Sequence, residues 1–372
     1  MHGLAIQGAE RALAAKVDFL SRRNAYDPIP PDVLRRETHM SWVFLAGNRV
    51  YKLKKPVHFP YLDFSTLERR EAACRAELRL NRRLAPDIYL NVVPLTENDG
   101  RLSIGGDGTP VDWLVMMKRL DERFMLDLMI EDRRLEHMQL DRLVETLAGF
   151  YRVATPVFLS PAIHLAGWMQ SLAYNKRVLL DPRFRIPAGL VQRIDQAQRR
   201  FLRQRWHLIT ARLRHRRIVD GHGDLRPEHI WLDDKVRVID CLEFNSRLRI
   251  VDPFDEIAFL SLECERLGAS WAGSYIQRRM KHLLRDGPAD ELFTFYRCHR
   301  ATLRARLAIA HLLEDHPRTP EKWPRLCATY LKLAAGSARK VESYLRTPLD
   351  RSGCALRAGG ESFRRANVPQ AK

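Results

Sequence analysis

No run of apolar residues in this chain approaches the ~20 that a membrane-spanning helix needs, so no membrane segment is predicted. The opening MHGLAIQGAERALAAK lacks the charged start, apolar stretch and cleavage site of a signal peptide, and none is expected. Cysteine is scarce and scattered: Cys74, Cys241, Cys264, Cys298, Cys327 and Cys354 contain no C-x-x-C pair. That argues against a zinc module or a disulfide framework and fits a reducing, cytoplasmic setting. Negative charge is also short. Lys and Arg number 63 against 45 Asp and Glu, a net +18, which attracts polyanions without choosing among them. No repeat of fixed period is visible.

What is present suits a globular protein. The 372 residues are 45% hydrophobic and 9% aromatic, enough for two lobes with a sizeable core. Residues 8–22 are predicted as an amphipathic helix, ended by Asn24 and the DPIPPD stretch at 27–32. SWVFLAG (41–47) and RVYKLKKPV (49–57) are predicted as two strands joined by a tight turn at Gly47-Asn48. Ser65 as N-cap with Glu68 three residues on predicts a helix that stops at Pro86. IYLNVVPL (88–95), RLSIGG (101–106) and DWLVMMKRL (112–120) are expected as further strands. Beyond Asp121 helical periodicity dominates 122–152, 189–217, 253–283, 288–314 and 320–345. One β-rich island, HIWLDDKVRVIDCLEF (229–244), interrupts it.

The expected organisation is therefore α+β and bilobal. It comprises a helical extension (1–36), a small sheet-plus-helix lobe (37–118), a larger mainly helical lobe (119–345) and a basic disordered tail (346–372). A cleft between two such lobes is where small ligands usually bind.

The stretch DGHGDLRPEHI (220–230) lies where a long helix gives way to a hairpin. On its own it reads as a metal site, a general-base loop or a polar turn. Phosphoryl transfer needs an aspartate on a rigid loop to accept a hydroxyl proton, and further ligands to hold a divalent cation against the phosphates. His222, Asp224 and Leu225 keep the spacing of the H-R-D-L-x-x-x-N loop of protein kinases, with His229 at the place of the asparagine. The hairpin strand VRVID then ends at Asp240, sixteen residues after Asp224, supplying a second carboxylate.

With the IDCLEF run (239–244) and DPFDEIA (252–258), this loop resembles the aminoglycoside phosphotransferase family of the protein-kinase-like superfamily, over roughly 40–345. YKLKKP (51–56) and ELRLNRRLAP (77–86) resemble segments of a bacterial branch of that family in which the HGDLRPEHI form occurs. The resemblance implies a kinase-like fold binding ATP with Mg²⁺, or Mn²⁺. Asp224 would be the base, His222 a loop-bracing residue, Asp240 and His229 the metal positions, and Asp255 a brace beneath the loop. It also implies a phosphate-contacting lysine with a helix glutamate. Alternation along RVYKLKKPV places Val50, Lys52 and Lys54 on one face, so Lys52 is preferred and Lys54 second, with Val50 over the adenine. Glu77 is preferred to Glu71 because it leads the apolar stripe of Leu78, Leu80 and Leu84. Backbone groups near Met117 would read the adenine edge.

Two features depart from the pattern. There is no G-x-G-x-x-G, only Gly47 in the 41–50 turn, and imidazole at 229 favours Mn²⁺ or Zn²⁺ over Mg²⁺. The expected activity is transfer of the γ-phosphate to a hydroxyl of a small neutral or anionic molecule. A nucleotide-binding regulator with little turnover and an AMP transferase on the same fold are the alternatives. The arginine-rich segment 198–217 is a remote nucleic-acid candidate, although Phe201, Leu208 and Leu213 give it a core-like face.

Overall fold

The computed structural model describes residues 2–59, 61–314 and 317–346. The expected tail from 347 lies outside the described residues, and Arg346 ends a helix instead of opening the tail. The first lobe is built on a six-stranded antiparallel sheet. Its strands are β1 (Val33–Glu37), β2 (Ser41–Ala46), β3 (Arg49–Lys54), β6 (Tyr89–Asn98), β7 (Arg101–Ile104) and β8 (Thr109–Lys118), in the order β1-β2-β3-β8-β6-β7. Two two-residue strands, β4 (His58–Phe59) and β5 (Leu62–Asp63), pair beside it. Gly47 at φ +59° makes the β2–β3 turn, a left-handed conformation that glycine adopts freely.

Alternation along the strands divides the side chains between two faces. Phe44, Tyr51, Leu53, Leu95 and Leu114 go to one side, where α1 (His2–Leu20) covers them with Val17 and Leu20. The proposed extension is thus part of the first lobe, and β1 carries the sheet back into it. The pattern of β1 is hidden in the sequence because VLRRE is an edge strand with four of five residues exposed. The opposite face packs on α2 (Leu67–Asn81) through Cys74, Tyr89, Val92, Val115 and Met117. The N-cap of α2 is Thr66, whose side chain accepts from the Arg69 N–H, and not Ser65, which bonds Asp63 instead.

The second lobe contains α3 (Leu126–Glu131), α4 (His137–Val153), α5 (Pro161–Leu179), α6 (Ala188–Arg214), α7 (Pro253–Arg266), α8 (Ser270–Leu283), α9 (Asp290–Ala310) and α10 (Lys322–Arg346). Between α6 and α7 lie β9 (Val219–Asp220), the hairpin β10 (Ile230–Leu232) and β11 (Val236–Val238), and β12 (Ile250–Val251), which pairs with β9. The single helix expected over 253–283 divides at Gly268, φ +90°, which closes α7 in the left-handed conformation usual after a helix end. Sequence periodicity does not predict α5, because only Leu172, Asn175 and Leu179 of its nineteen residues are buried. Among the described residues no helix is long and apolar enough to cross a membrane, and five cysteines are free and buried.

Candidate active site

Pairing of β9 with β12 and of β10 with β11 holds the 221–229 loop at both ends. Within it, Gly221 has no room for a Cβ, which would stand 2.5 Å from Glu256 Oε2. Gly223, at φ +91°, would press a Cβ on Leu242 at 3.0 Å. These glycines let the loop backbone close on the Glu256 carboxylate, which accepts from the N–H groups of His222 and Gly223 and from the Tyr151 hydroxyl at 2.8 Å. Burial raises the Glu256 carboxyl above its ordinary range, against the pull of those donors. Glu256 is thus the brace beneath the loop. The neighbouring Asp255, expected in that role, receives Arg300 through Nε at 2.8 Å and Nη2 at 2.6 Å and ties α7 to α9. Successive residues on a helix point about 100° apart, so only one of the two can face the loop.

His222 is 1% exposed. Its Nε2 donates to the Ile239 carbonyl at 2.9 Å, while Nδ1 accepts from the Asp224 N–H at 3.3 Å. Burial pushes its pKa down to about 4, so the ring is neutral and acts as a spacer between loop and hairpin. Burial works to raise the Asp224 carboxyl, but Arg226 beside it, with Nε 3.0 Å from Oδ2, holds it below the ordinary carboxylate range. His229 donates from Nδ1 to the Asp224 carbonyl at 2.9 Å.

Asp240 follows β11 at φ +63°, a left-handed conformation costly for a non-glycine residue. Two bonds hold it there: its N–H donates to the Tyr89 hydroxyl at 3.2 Å, and the Cys241 N–H donates to Asn81 Oδ1 at 2.9 Å. The turn aims the carboxylate into the cleft, where its side chain is 45% exposed. Lys52 Nζ lies 2.9 Å from Asp240 Oδ1 and 2.9 Å from Glu77 Oε1. Desolvation opposes the charge on Lys52, but Asp240 and Glu77 override it and raise its pKa well above the usual value. Lys54 sits behind, 1% exposed, with Nζ 2.6 Å from Glu77 Oε2 and bonded to Glu243. Lys52 and Glu77, the two preferred from the sequence, are thus paired with each other. Glu71 is spent on Arg75.

Lys52, Asp240 and Glu243 border a cavity of about 490 Å³ between the lobes, lined on its apolar side by Val43, Leu45, Val50, Met117, Trp231 and Ile239. That volume is within the range of small-ligand and cofactor sites. Met117 lies opposite Val50 on β3 and Tyr89 on β6, inside the sheet. Groups able to read a base edge therefore come from the segment after it, where Lys118, Arg119 and Leu120 also line the cavity. For a divalent cation the donors that fit are Asp240 Oδ2 and His229 Nε2, 3.6 Å apart. Among the described residues no group of three or more metal-ligating side chains converges, so the remaining positions would fall to phosphate oxygens and water.

Arg226, Glu243 and Glu256 are the site residues that sequence reasoning did not assign. Arg226 and Glu243 lie inside the quoted motifs, but their partners Asp224, His229 and Lys54 are set by the fold. Segment 198–217, the remote nucleic-acid candidate, pairs part of its arginines internally, while Arg203, Arg214 and Arg216 are exposed. Arg199 pairs with Asp195, Arg200 with Glu342, Arg205 with Glu291, and Arg212 with Asp252 and Asp286.

No family model matches the chain. It is 33% identical over 288 residues to uncharacterized proteins of Mycobacterium tuberculosis and Mycobacterium bovis, a match covering 76% of this chain and 56% of each relative. The chain thus spans about half the length of the curated relatives it matches. Among solved structures it is similar to a choline/ethanolamine kinase family protein from Mesorhizobium loti. The TM-score is 0.50 at 13% identity, covering 90% of this chain and 95% of that one. A thermostable mutant of an aminoglycoside phosphotransferase superposes with a TM-score of 0.48 at 13% identity, over 86% of this chain and 99% of the other. The sheet-plus-helix lobe, the helical lobe and the cleft between them make this a bilobal, protein-kinase-like α+β fold.

Proposed function

We propose that the protein is an ATP-dependent phosphotransferase that moves the γ-phosphate to a hydroxyl of a small molecule. One observation carries the reading: Lys52 bridges Glu77 and Asp240 at 2.9 Å each, at the polar end of the interlobe cavity. The adenine would lie against Val50, Met117 and Ile239, with the backbone after Met117 reading its edge. Lys52 would exchange its bond to Asp240 for a phosphate oxygen and orient the chain of phosphates. Lys54, locked between Glu77 and Glu243, would hold Glu77 in place and leave phosphate contact to Lys52. Asp224, ionised on a loop braced by Glu256 and His222, would accept the acceptor hydroxyl proton as its oxygen bonds to the γ-phosphorus and ADP leaves. A Mg²⁺ or Mn²⁺ held by Asp240 and His229 would supply charge neutralisation at the phosphates.

The test is thermal stability with ATP plus Mg²⁺ or Mn²⁺, for the wild type and Asp240→Ala, followed by product analysis over a panel of hydroxyl compounds. A ligand at 100 times its Kd stabilises the native state by about 2.7 kcal/mol, a readily seen rise in melting temperature. The expected outcome is a metal-dependent rise, lost in Asp240→Ala, and release of ADP. Pyrophosphate release would replace the reading by AMP transfer, binding without either product by a regulator, and no shift with either metal would remove it.

A further inference from the structure

One guanidinium occupies two groups that the proposed reaction needs. Arg226 donates through Nε to Asp224 Oδ2 and through Nη2 to His229 Nε2, each at 3.0 Å. The His229 tautomer follows from its other bond. Nδ1 lies 2.9 Å from the Asp224 carbonyl, which only accepts, so Nδ1 carries the proton. The Nε2 lone pair is therefore the acceptor for Arg226, and it is the same lone pair that faces Asp240 Oδ2 at 3.6 Å. Arginine has no lone pair to offer and does not lose its proton in proteins. A cation on Nε2 and Arg226 on Nε2 are therefore mutually exclusive states.

We propose that Arg226 is a phosphate-responsive latch. Without nucleotide it caps both Asp224 and His229. When nucleotide phosphates enter, the guanidinium turns its planar fork to their oxygens, leaving the Nε2 lone pair to a divalent cation and the Asp224 carboxylate to the acceptor hydroxyl. Every group keeps its proton; hydrogen-bond partners are exchanged for a metal–nitrogen contact and new phosphate contacts. The cation is then of the class that accepts mixed nitrogen and oxygen donors, Mn²⁺ before Mg²⁺. Cation binding is weak without nucleotide and tight with it. The nucleotide half of this inference rests on the phosphotransferase reading; the capping of His229 does not.

The experiment is titration of the full chain with Mn²⁺, followed by the paramagnetic resonance of the free ion. In the absence of nucleotide Arg226→Met should bind Mn²⁺ about tenfold more tightly than the wild type, the equivalent of one lost charged hydrogen bond. The gain should vanish in Arg226→Met/His229→Gln. No gain, or a gain that survives His229→Gln and so reflects charge removal alone, overturns the latch. If Arg226→Met does not fold, Arg226→Lys keeps the charge without the fork, and it should show a smaller gain with the same dependence on His229; its absence overturns the proposal equally. Adding ADP should tighten Mn²⁺ binding more in the wild type than in Arg226→Met, and equal tightening counts against the latch. Failure of ADP to bind either protein would instead remove the phosphotransferase reading, with the nucleotide-free comparison still standing.

Discussion

Along α6, arginines meet carboxylates from elsewhere in the second lobe: Arg205 meets Glu291 of α9, Arg200 meets Glu342 of α10, and Arg212 lies between Asp252 and Asp286. In the cleft, Lys52 and Lys54 share three carboxylates, Glu77, Asp240 and Glu243, and the cluster opens on a cavity of about 490 Å³. Both regions are conspicuous as charge in the sequence. In α6 the pairs made by Arg205 and Arg212 are satisfied inside the protein and tie the lobe together. In the cleft they are gathered at the wall of a cavity, with the Asp240 side chain 45% exposed. Density of charge therefore says little; whether the partners are internal and complete decides between scaffold and site.

The sharpest way to break this contrast is at Asp224. Asp224→Asn should keep metal-dependent nucleotide stabilisation while turnover falls roughly 10²–10⁴-fold, the usual contribution of a general base. A variant with unchanged turnover would remove Asp224 from the mechanism. Next comes Arg212→Met in α6, which leaves the buried Asp252 and the half-buried Asp286 beside an apolar side chain. It should cost about 3–5 kcal/mol in urea denaturation without altering the ligand response that remains. Lys52→Met should do the reverse, abolishing nucleotide stabilisation with a much smaller loss of intrinsic stability.

A further effect concerns the buried histidines His222 and His299. Burial lowers His222 to about 4 and His299 to about 3 from the usual 6.5. The folded pKa lies below the unfolded one, so the unfolded chain takes up protons first. Stability is full above pH 6.5 and falls as the pH drops toward 4, by roughly 3 kcal/mol for each ring. Urea denaturation between pH 7 and 4 should show this slope, and His299→Phe should remove about half of it. The smallest effect is expected at the exposed Arg123–Asp121 pair, where Arg123→Ala should leave the urea denaturation midpoint unchanged. A shift there would mean that surface charge matters more than the comparison allows.

The hairpin after the HGDLRPEHI loop, the two strands joined at Gly47-Asn48 and the helices of the second lobe were legible because their periodicities are strong. α5 was not, since nothing in PAIHLAGWMQSLAYNKRVL concentrates apolar residues on one face. At the candidate site, Lys52, Glu77 and Asp240 stand on separate sequence motifs, and the structure brings Lys52 Nζ to 2.9 Å from each of the two carboxylates. Asp255 was named for a contact that belongs to Glu256, because the sequence marks the helix start without marking which of two adjacent carboxylates turns toward the loop. Arg226 had no assigned role, because its bonds to Asp224 and His229 exist only once the loop is folded.

By itself the sequence determined which local elements form and which residue types stand at their ends, because periodicity, turn glycines and charged side chains act over a few residues. Tertiary structure alone decided which charges face each other. Lys52 and Asp240 are 188 residues apart and meet only because a sheet and a hairpin pack across one cleft. Lys54 reaches Glu243 from two residues further along the strand, and that step places it in the interior instead of at the cavity. Partner choice depends on distance and burial, and both are properties of the packed lobes.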